Sequence, residues 1–131
     1  MTSERNDTIA AVATGTGGAV ALIRISGERA VPIGDVLFRN IQGKPLSTQK
    51  GYTIHYGTIR DGETVIDEVL VSLFRAPHSY TGEDMIEISC HASDYILRRV
   101  MELAIRHGAR TARPGEFTLR AFLHGRVTLD E

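Results

Sequence analysis

Arg24 is the first residue of this sequence whose surroundings require a specific partner. It lies in the apolar run 19–25, on the same face of a predicted strand as Val20 and Leu22. A charge at such a position must pair with an anion or reach solvent, because burying it alone is costly. Arg24 is therefore a candidate ligand-binding residue, and an internal ion pair with a carboxylate of the same chain explains it equally well.

A second strand pattern brings a carboxylate and a histidine onto one face. Residues 84–91 alternate, with Ile86, Ile88 and Cys90 on one face and Met85, Glu87, Ser89 and His91 on the other. The side chains of the first face are predicted to be buried in the hydrophobic core. Adjacent side chains of a strand point to opposite faces, so Cys90 and His91 cannot act together as nucleophile and base. Cys90 is predicted to be a small core residue.

The glycine-rich segment Thr14 to Gly18 has the composition of a phosphate-binding loop but not its spacing. No Gly-Lys-Ser/Thr follows it, and the G-x-G-x-x-G pattern is absent. We therefore do not expect this chain to bind GTP or ATP. The glycines are expected to let the loop turn or approach a ligand.

The arginines are concentrated late in the chain. The net charge is -1, yet residues 98–126 hold seven arginines against two glutamates. This pattern fits either a solvated helix surface or an anion site for phosphate or carboxylate groups. A third interpretation is an RNA-binding module, which would need aromatic side chains among the arginines to stack on bases. Only Phe117 and Phe122 lie among them, and both are better explained as core residues.

Composition excludes several other kinds of protein. With one cysteine, the chain can form neither an intramolecular disulfide nor a thiolate-clustered zinc site, and its five histidines are scattered, so no metal site is expected. No run of about 18 apolar residues predicts a membrane span. The polar N-terminus does not resemble a signal peptide, so we expect a cytoplasmic protein.

Local signals predict most of the elements that would position these side chains. Asp61-Gly62 is a hairpin turn signal, and Ser93 can cap a helix that ends at Gly108. Pro114 suits the first position of a further helix that runs to about Leu123. The predicted strands are 8–13, 19–25, 52–60, 65–74 and 84–91, and a helix is predicted within 28–38.

Four ordered segments together resemble one known family. They are residues 7–10, 22–27, 77–88 and 113–123, which include Leu-Ile-Arg-Ile-Ser-Gly, Pro-His-Ser-Tyr-Thr-Gly-Glu-Asp and Arg-Pro-Gly-Glu-Phe-Thr. Their order and content are similar to the N-terminal domain of the MnmE (TrmE) family of tRNA modification GTPases. The resemblance implies an α+β fold with a mixed, largely antiparallel β-sheet and two or three helices, like the folate-binding domain of aminomethyltransferases.

The resemblance also implies a ligand and an assembly. It implies binding of 5-formyltetrahydrofolate or 5,10-methylenetetrahydrofolate, with contacts from Arg24, Glu87 and Arg126, and it implies a homodimer. The chemistry of these side chains agrees: a carboxylate can accept two adjacent pterin N–H groups, and guanidinium groups suit the glutamate tail. Two departures from the family pattern are His91-Ala92-Ser93 in place of His-Gly-Gly, and His124-Gly125-Arg126 in place of Asn-Gly-Lys.

For the whole protein, the resemblance implies a GTP hydrolase that modifies C5 of wobble uridine 34 in tRNA. Its implied partner is the flavoprotein MnmG, in a heterotetramer, and GTP, Mg²⁺ and K⁺ would belong to a later domain that this chain lacks. We expect residues 1–123 to form the folate-binding and dimerising domain and residues 124–131 to begin a following helical domain. The alternatives are an RNA-binding module built on residues 98–126 and a stand-alone folate-dependent one-carbon transferase.

Overall fold

The computed structural model of the chain describes residues 7–13 and 18–125. Within these ranges, one seven-stranded sheet has the strand order β3-β4-β5-β6-β2-β1-β7. The strands are β1 (Ile9–Val12), β2 (Val20–Ser26), β3 (Phe38–Asn40), β4 (Thr53–Asp61), β5 (Thr64–Phe74), β6 (Met85–His91) and β7 (Arg110–Thr111). The helices are α1 (Ala30–Leu37), α2 (Asp94–Arg106) and α3 (Glu116–Leu123), with a short 3-10 helix at Leu46–Thr48.

The sheet is largely antiparallel. Only the pairing of β1 with β7 is parallel among the strand pairs of the described residues. The predicted hairpin forms as expected, with Asp61 opposite Thr64 and Gly62 at φ 60° in the turn. The α+β prediction with a mixed, mostly antiparallel sheet is confirmed.

The hydrophobic core lies between one sheet face and the two helices α1 and α2. Ile23, Ile88 and Val71 contribute from the central strands, and α2 contributes Val100 and Leu103. Alternation in β6 is as predicted, because Ile86, Ile88 and Cys90 are all buried. Their neighbours in the strand therefore point toward the opposite face.

The helix boundaries follow the capping signals with one difference. Ser93 Oγ accepts a hydrogen bond from the Ile96 amide and starts α2, as predicted. Helix α3 begins at Glu116, two residues after Pro114, because Gly115 adopts φ 76° immediately before it. None of the helices in the described ranges is long and apolar enough to cross a membrane.

The second face of the sheet is covered at one end only. Helix α3 and the segment 76–84 lie over the end that carries Ser26 and Met85, and both residues are buried. Met85 points to the same sheet face as Glu87, as the alternation predicts, but it is buried because this end of the face is covered. The remainder of this face is not covered by any described residue.

Candidate functional site

Arg24 and Glu87 form an ion pair at the edge of the covered region. They are direct partners in the antiparallel β2–β6 pairing. Arg24 Nε and Nη2 each lie 2.8 Å from Glu87 Oε2, and the side chains are 24% and 18% exposed. The internal ion pair that the sequence left open is thus present, and it brings two of the predicted site residues together.

Two aromatic rings flank the Arg24 guanidinium. Its carbon Cζ lies 5.5 Å from the ring centre of Tyr80 and 5.6 Å from that of Phe117, distances typical of cation–π contacts. Tyr80 comes from the loop before β6, and Phe117 comes from the first turn of α3. The hydroxyls of Tyr80 and Thr118 lie 3.0 Å apart and join the loop to the helix.

A cleft of about 400 Å³ opens beside this cation. Its volume is within the range of small-molecule binding sites. The lining combines two arginines with two aromatic residues and small residues, and includes Ala11, Arg24, Tyr80, Arg113, Gly115 and Phe117. Such a lining suits a flat, polar-edged ring system, because rings stack on aromatic walls while charged groups fix orientation.

The ion pair leaves polar atoms available to a ligand. Both hydrogen bonds of Arg24 fall on Oε2 of Glu87, so Oε1 accepts none from the described residues. A carboxylate oxygen in this position can accept N–H donors, and the two contacts from the partner guanidinium hold the carboxylate in one orientation. The site therefore favours a ligand that presents N–H groups at its edge.

A buried charge network lies behind the cleft. Arg120 on α3 is 1% exposed and donates to both carboxylate oxygens of Glu83, at 3.2 and 3.1 Å. It also donates to the backbone oxygen of Asp7. Glu83 Oε1 in turn accepts a hydrogen bond from Ser26 at 2.7 Å. These contacts hold α3 against the sheet.

Glu116 at the start of α3 is held as a carboxylate by its neighbours. Arg110 donates to both of its oxygens, at 3.0 and 2.6 Å, and the Arg113 amide donates at 2.9 Å. The hydrogen bonds from Arg110 are the main reason that the pKa of Glu116 falls to about 2, and they raise the pKa of Arg110. The first turn of α3 is thereby attached to β7.

Within the described ranges, at least four of the seven arginines in residues 98–126 form ion pairs with carboxylates of the same chain. Arg99 and Arg106 both reach Asp61 in the β4–β5 turn. Arg110 pairs with Asp7 and Glu116, and Arg120 belongs to the buried network. A cation already engaged in this way is less available to RNA, so these contacts weigh against the RNA-binding alternative.

The uncovered part of the second sheet face carries several exposed apolar side chains. Ile54 is 68% exposed, and Tyr56, Leu70 and Val20 are also exposed. They lie in neighbouring cross-strand rows with Leu22, because Tyr56 pairs with Leu70 and Leu22 with Ser89. We name Val20, Leu22, Ile54, Tyr56 and Leu70 the open apolar face. Exposed apolar side chains grouped on one sheet face in this way are typical of a protein–protein contact.

Cys90 and His91 are separated as predicted. Cys90 is buried in the core, and burial, with a smaller contribution from the charge of Asp67, raises its pKa to about 11. His91 points outward, and its Nδ1 lies 2.8 Å from Asp67 Oδ1. No group of three or more metal-ligating side chains is placed to hold a metal ion within the described ranges.

The sequence predicted the two charged residues of the site but not the two aromatic residues that flank Arg24. Arg24 and Glu87 were singled out and lie together. Arg126 lies outside the described residues, as does the loop 14–17. Tyr80 and Phe117 were not proposed as site residues, although both fall in the segments that carry the family resemblance. Phe117 was interpreted as an apolar contact of its helix, and the structure places it against Arg24 instead.

Comparison with known proteins gives a consistent result. Residues 8–126 match the family model described as GTP-binding protein TrmE N-terminus. The chain is 58% identical over 126 residues to a tRNA modification GTPase MnmE of Bacteroides thetaiotaomicron, covering 95% of this chain and 27% of that relative. Corresponding proteins of Bacteroides fragilis and Flavobacterium johnsoniae are 57% and 54% identical, with the same coverage.

The chain thus spans 27% of the length of these relatives. Its matched region includes the whole sheet, the three helices and the cleft around Arg24. The family match covers far more than half of the sequence. The chain therefore belongs to the TrmE N-terminus family, the N-terminal domain found in tRNA modification GTPases of the MnmE type.

Proposed function

We propose that this chain is a folate-binding and dimerising module, which binds 5-formyltetrahydrofolate or 5,10-methylenetetrahydrofolate in the cleft beside Arg24. The observation that carries the proposal is the Arg24–Glu87 pair: Arg24 lies between two aromatic rings, and its contacts with Glu87 Oε2 leave Glu87 Oε1 to accept ligand hydrogen bonds. The pterin of a folate is flat and presents adjacent N–H donors, so it fits both features. When bound, the folate supplies a one-carbon unit.

The short distance between the two charges refines their proposed roles. Arg24 Nη2 lies 2.8 Å from Glu87 Oε2, so both side chains would contact the same end of an extended ligand. In this proposal Glu87 accepts the pterin N–H groups and Arg24 orients Glu87. The anionic glutamate tail is then left to Arg126, as the family resemblance implies, or to Arg113, which lines the cleft.

Dimerisation is proposed through the open apolar face. The two strands at the sheet edges, β3 and β7, are only three and two residues long, so they provide few backbone groups with which a second chain could pair. The exposed apolar side chains on the central strands would stabilise a dimer more, because covering them removes apolar surface from water. A second copy of the chain is the proposed occupant.

Within a full-length protein, we propose that the module serves the modification of C5 in wobble uridine 34 of tRNA, in the cytoplasm. The proposed partner is an MnmG-type flavoprotein in a heterotetramer, with tRNA as substrate of that complex. We propose that GTP, Mg²⁺ and K⁺ bind elsewhere in such a protein, outside the region that this chain spans. The names of the relatives support the tRNA modification role.

A calorimetric titration tests the ligand. 5-Formyltetrahydrofolate is expected to bind saturably with one site per chain. p-Aminobenzoylglutamate, which lacks the pterin, is expected to bind far more weakly, because it offers nothing to Glu87. If 5-formyltetrahydrofolate gives no saturable heat, or if both compounds bind equally, the proposed pterin site is wrong.

A further inference from the structure

Glu83 connects two of the chain segments that surround Arg24. Its Oε1 accepts a hydrogen bond from Ser26 at 2.7 Å, and both of its oxygens lie within 3.2 Å of Arg120 Nη1. Ser26 follows Arg24 by two residues in β2, and Arg120 follows Phe117 by one turn in α3. The carboxylate therefore links the strand that carries the cation to the helix that carries one of its rings.

The same residue also closes the loop that carries the other ring. Ser79 Oγ donates to the Glu83 carbonyl at 2.5 Å, and the Glu83 amide donates to Thr81 Oγ1 at 3.2 Å. Thr81 Oγ1 lies 2.7 Å from Ser26 Oγ. Tyr80 lies between Ser79 and Thr81, so its backbone position is set by these contacts.

The burial of this network indicates a role in geometry. Arg120 is 1% exposed and Glu83 14%, and the desolvation of two charges offsets much of their attraction. A buried ion pair is accordingly a weak source of stability, and its best-attested value is in selecting one arrangement of the elements it joins. Here the joined elements are β2, the loop 79–83 and α3.

We infer that Glu83 is a positioning residue of the cleft. Through Ser26 and Arg120 it sets the spacing of Tyr80 and Phe117 about Arg24, and through Arg24 it sets the orientation of Glu87. Glu83 itself does not line the cleft. The ligand consequence rests on the proposed folate binding, whereas the spacing of the rings about Arg24 can be measured without any ligand.

The ligand-free experiment is an NMR spectrum of the arginine Nε–H groups. Aromatic rings shift the resonance of a nearby nucleus, so the Arg24 signal reports whether both rings are in place. Glu83→Gln keeps the size of the side chain and removes its charge. The Arg24 signal is expected to move toward the position of an unstructured arginine, while that of Arg99, paired with Asp61, stays unchanged.

The matched control is Glu63→Gln. Glu63 is also paired with arginines, but it is 85% exposed and its partners Arg39 and Arg60 do not line the cleft. This variant is expected to leave the Arg24 signal and the ligand affinity unchanged. A movement of the Arg24 signal in both variants would overturn the inference, because any loss of carboxylate charge would then have the same effect.

The second readout is affinity for 5-formyltetrahydrofolate, which is expected to fall about tenfold or more in Glu83→Gln. An unmoved Arg24 signal, or a moved signal with unchanged affinity, overturns the inference. If the parent chain does not bind this folate, the proposed function fails and the Arg24 signal alone decides whether Glu83 positions the rings. The two failures are therefore distinguishable.

Loss of folding is covered by a second variant. If Glu83→Gln shows no cooperative thermal transition, Glu83→Asp, which retains the charge and shortens the side chain by one methylene, is measured in the same two ways. A displaced Arg24 signal with weakened binding in a folded Glu83→Asp supports the inference. If neither variant folds, Glu83 is required for the fold itself and the positioning role is overturned.

Discussion

Arg24 and Glu87 face each other across the β2–β6 pair, and two nitrogens of the arginine lie 2.8 Å from the same carboxylate oxygen. This asymmetry leaves the other oxygen of Glu87 to a ligand while the rings of Tyr80 and Phe117 enclose the guanidinium. A fully shared ion pair would use both oxygens internally. The arrangement is therefore both a structural pair and a prepared acceptor site.

Glu87→Gln is expected to weaken binding of 5-formyltetrahydrofolate by about 2–4 kcal/mol, because an amide cannot accept two adjacent N–H donors as a carboxylate does. The free energy of unfolding should fall by only about 1 kcal/mol, since the ion pair remains partly hydrated. Calorimetry and thermal unfolding measure the two effects. The same substitution at Glu102, exposed on α2, is the control and should change neither. Equal affinity in Glu87→Gln would show that this carboxylate does not anchor the pterin.

The open apolar face predicts a dimer that one substitution should disrupt. Light scattering at micromolar concentration is expected to give about twice the chain mass of 14.4 kDa. Leu70→Lys, which puts a charge in the centre of this face, should give a monomer. Ile105→Lys on α2 is a close match, because Ile105 is 45% exposed and Leu70 46%, and it should leave the mass unchanged. A dimer that survives Leu70→Lys would place the interface elsewhere.

Cys90 is expected to be inert toward thiol reagents in the folded chain. Its pKa of about 11 leaves only about one thiolate in a thousand at pH 8, and the side chain is buried. Ellman's reagent should therefore label one thiol per chain only after denaturation. Ser47→Cys, at an exposed position, provides the reactive comparison and should add one fast-reacting thiol to the native chain. Rapid labelling of native Cys90 would contradict its core position.

The elements predicted correctly from the sequence are those with strong local signals. Asp61-Gly62 defines the hairpin and Ser93 starts α2, because each depends on a few adjacent residues. The short strands β3 and β7 were not predicted. They contain three and two residues and exist only through pairing with β4 and β1, which no local pattern indicates.

The site was predicted as separate residues rather than as an arrangement. Arg24 was suspected because a charge interrupts an apolar strand, and Glu87 because of the family resemblance. Their contact joins residues 63 positions apart, and neither propensity nor periodicity determines which strands become neighbours. The ring of Phe117 was assigned to a core for the same reason, since its helix alone does not show that it packs against Arg24.

Because a carboxylate attaches α3 to β7, the free energy of unfolding of the chain should depend on pH. Glu116 has a pKa of about 2 in the fold and about 4.5 as a free side chain, chiefly because Arg110 donates two hydrogen bonds to it. A carboxyl group with a lowered pKa binds fewer protons in the folded state than in the unfolded state. Its contribution is therefore complete above about pH 4.5 and is lost as the pH falls toward 2.

The shift corresponds to about 3 kcal/mol of unfolding free energy lost across this pH window. Urea denaturation at a series of pH values measures the loss. Glu116→Gln should be less stable than the parent at neutral pH and show a smaller decline between pH 4.5 and 2, because the titrating group is gone. Glu102→Gln, at an exposed position of α2, should keep the decline of the parent. A Glu116→Gln chain that loses stability with acid as steeply as the parent would assign the pH dependence to other carboxylates.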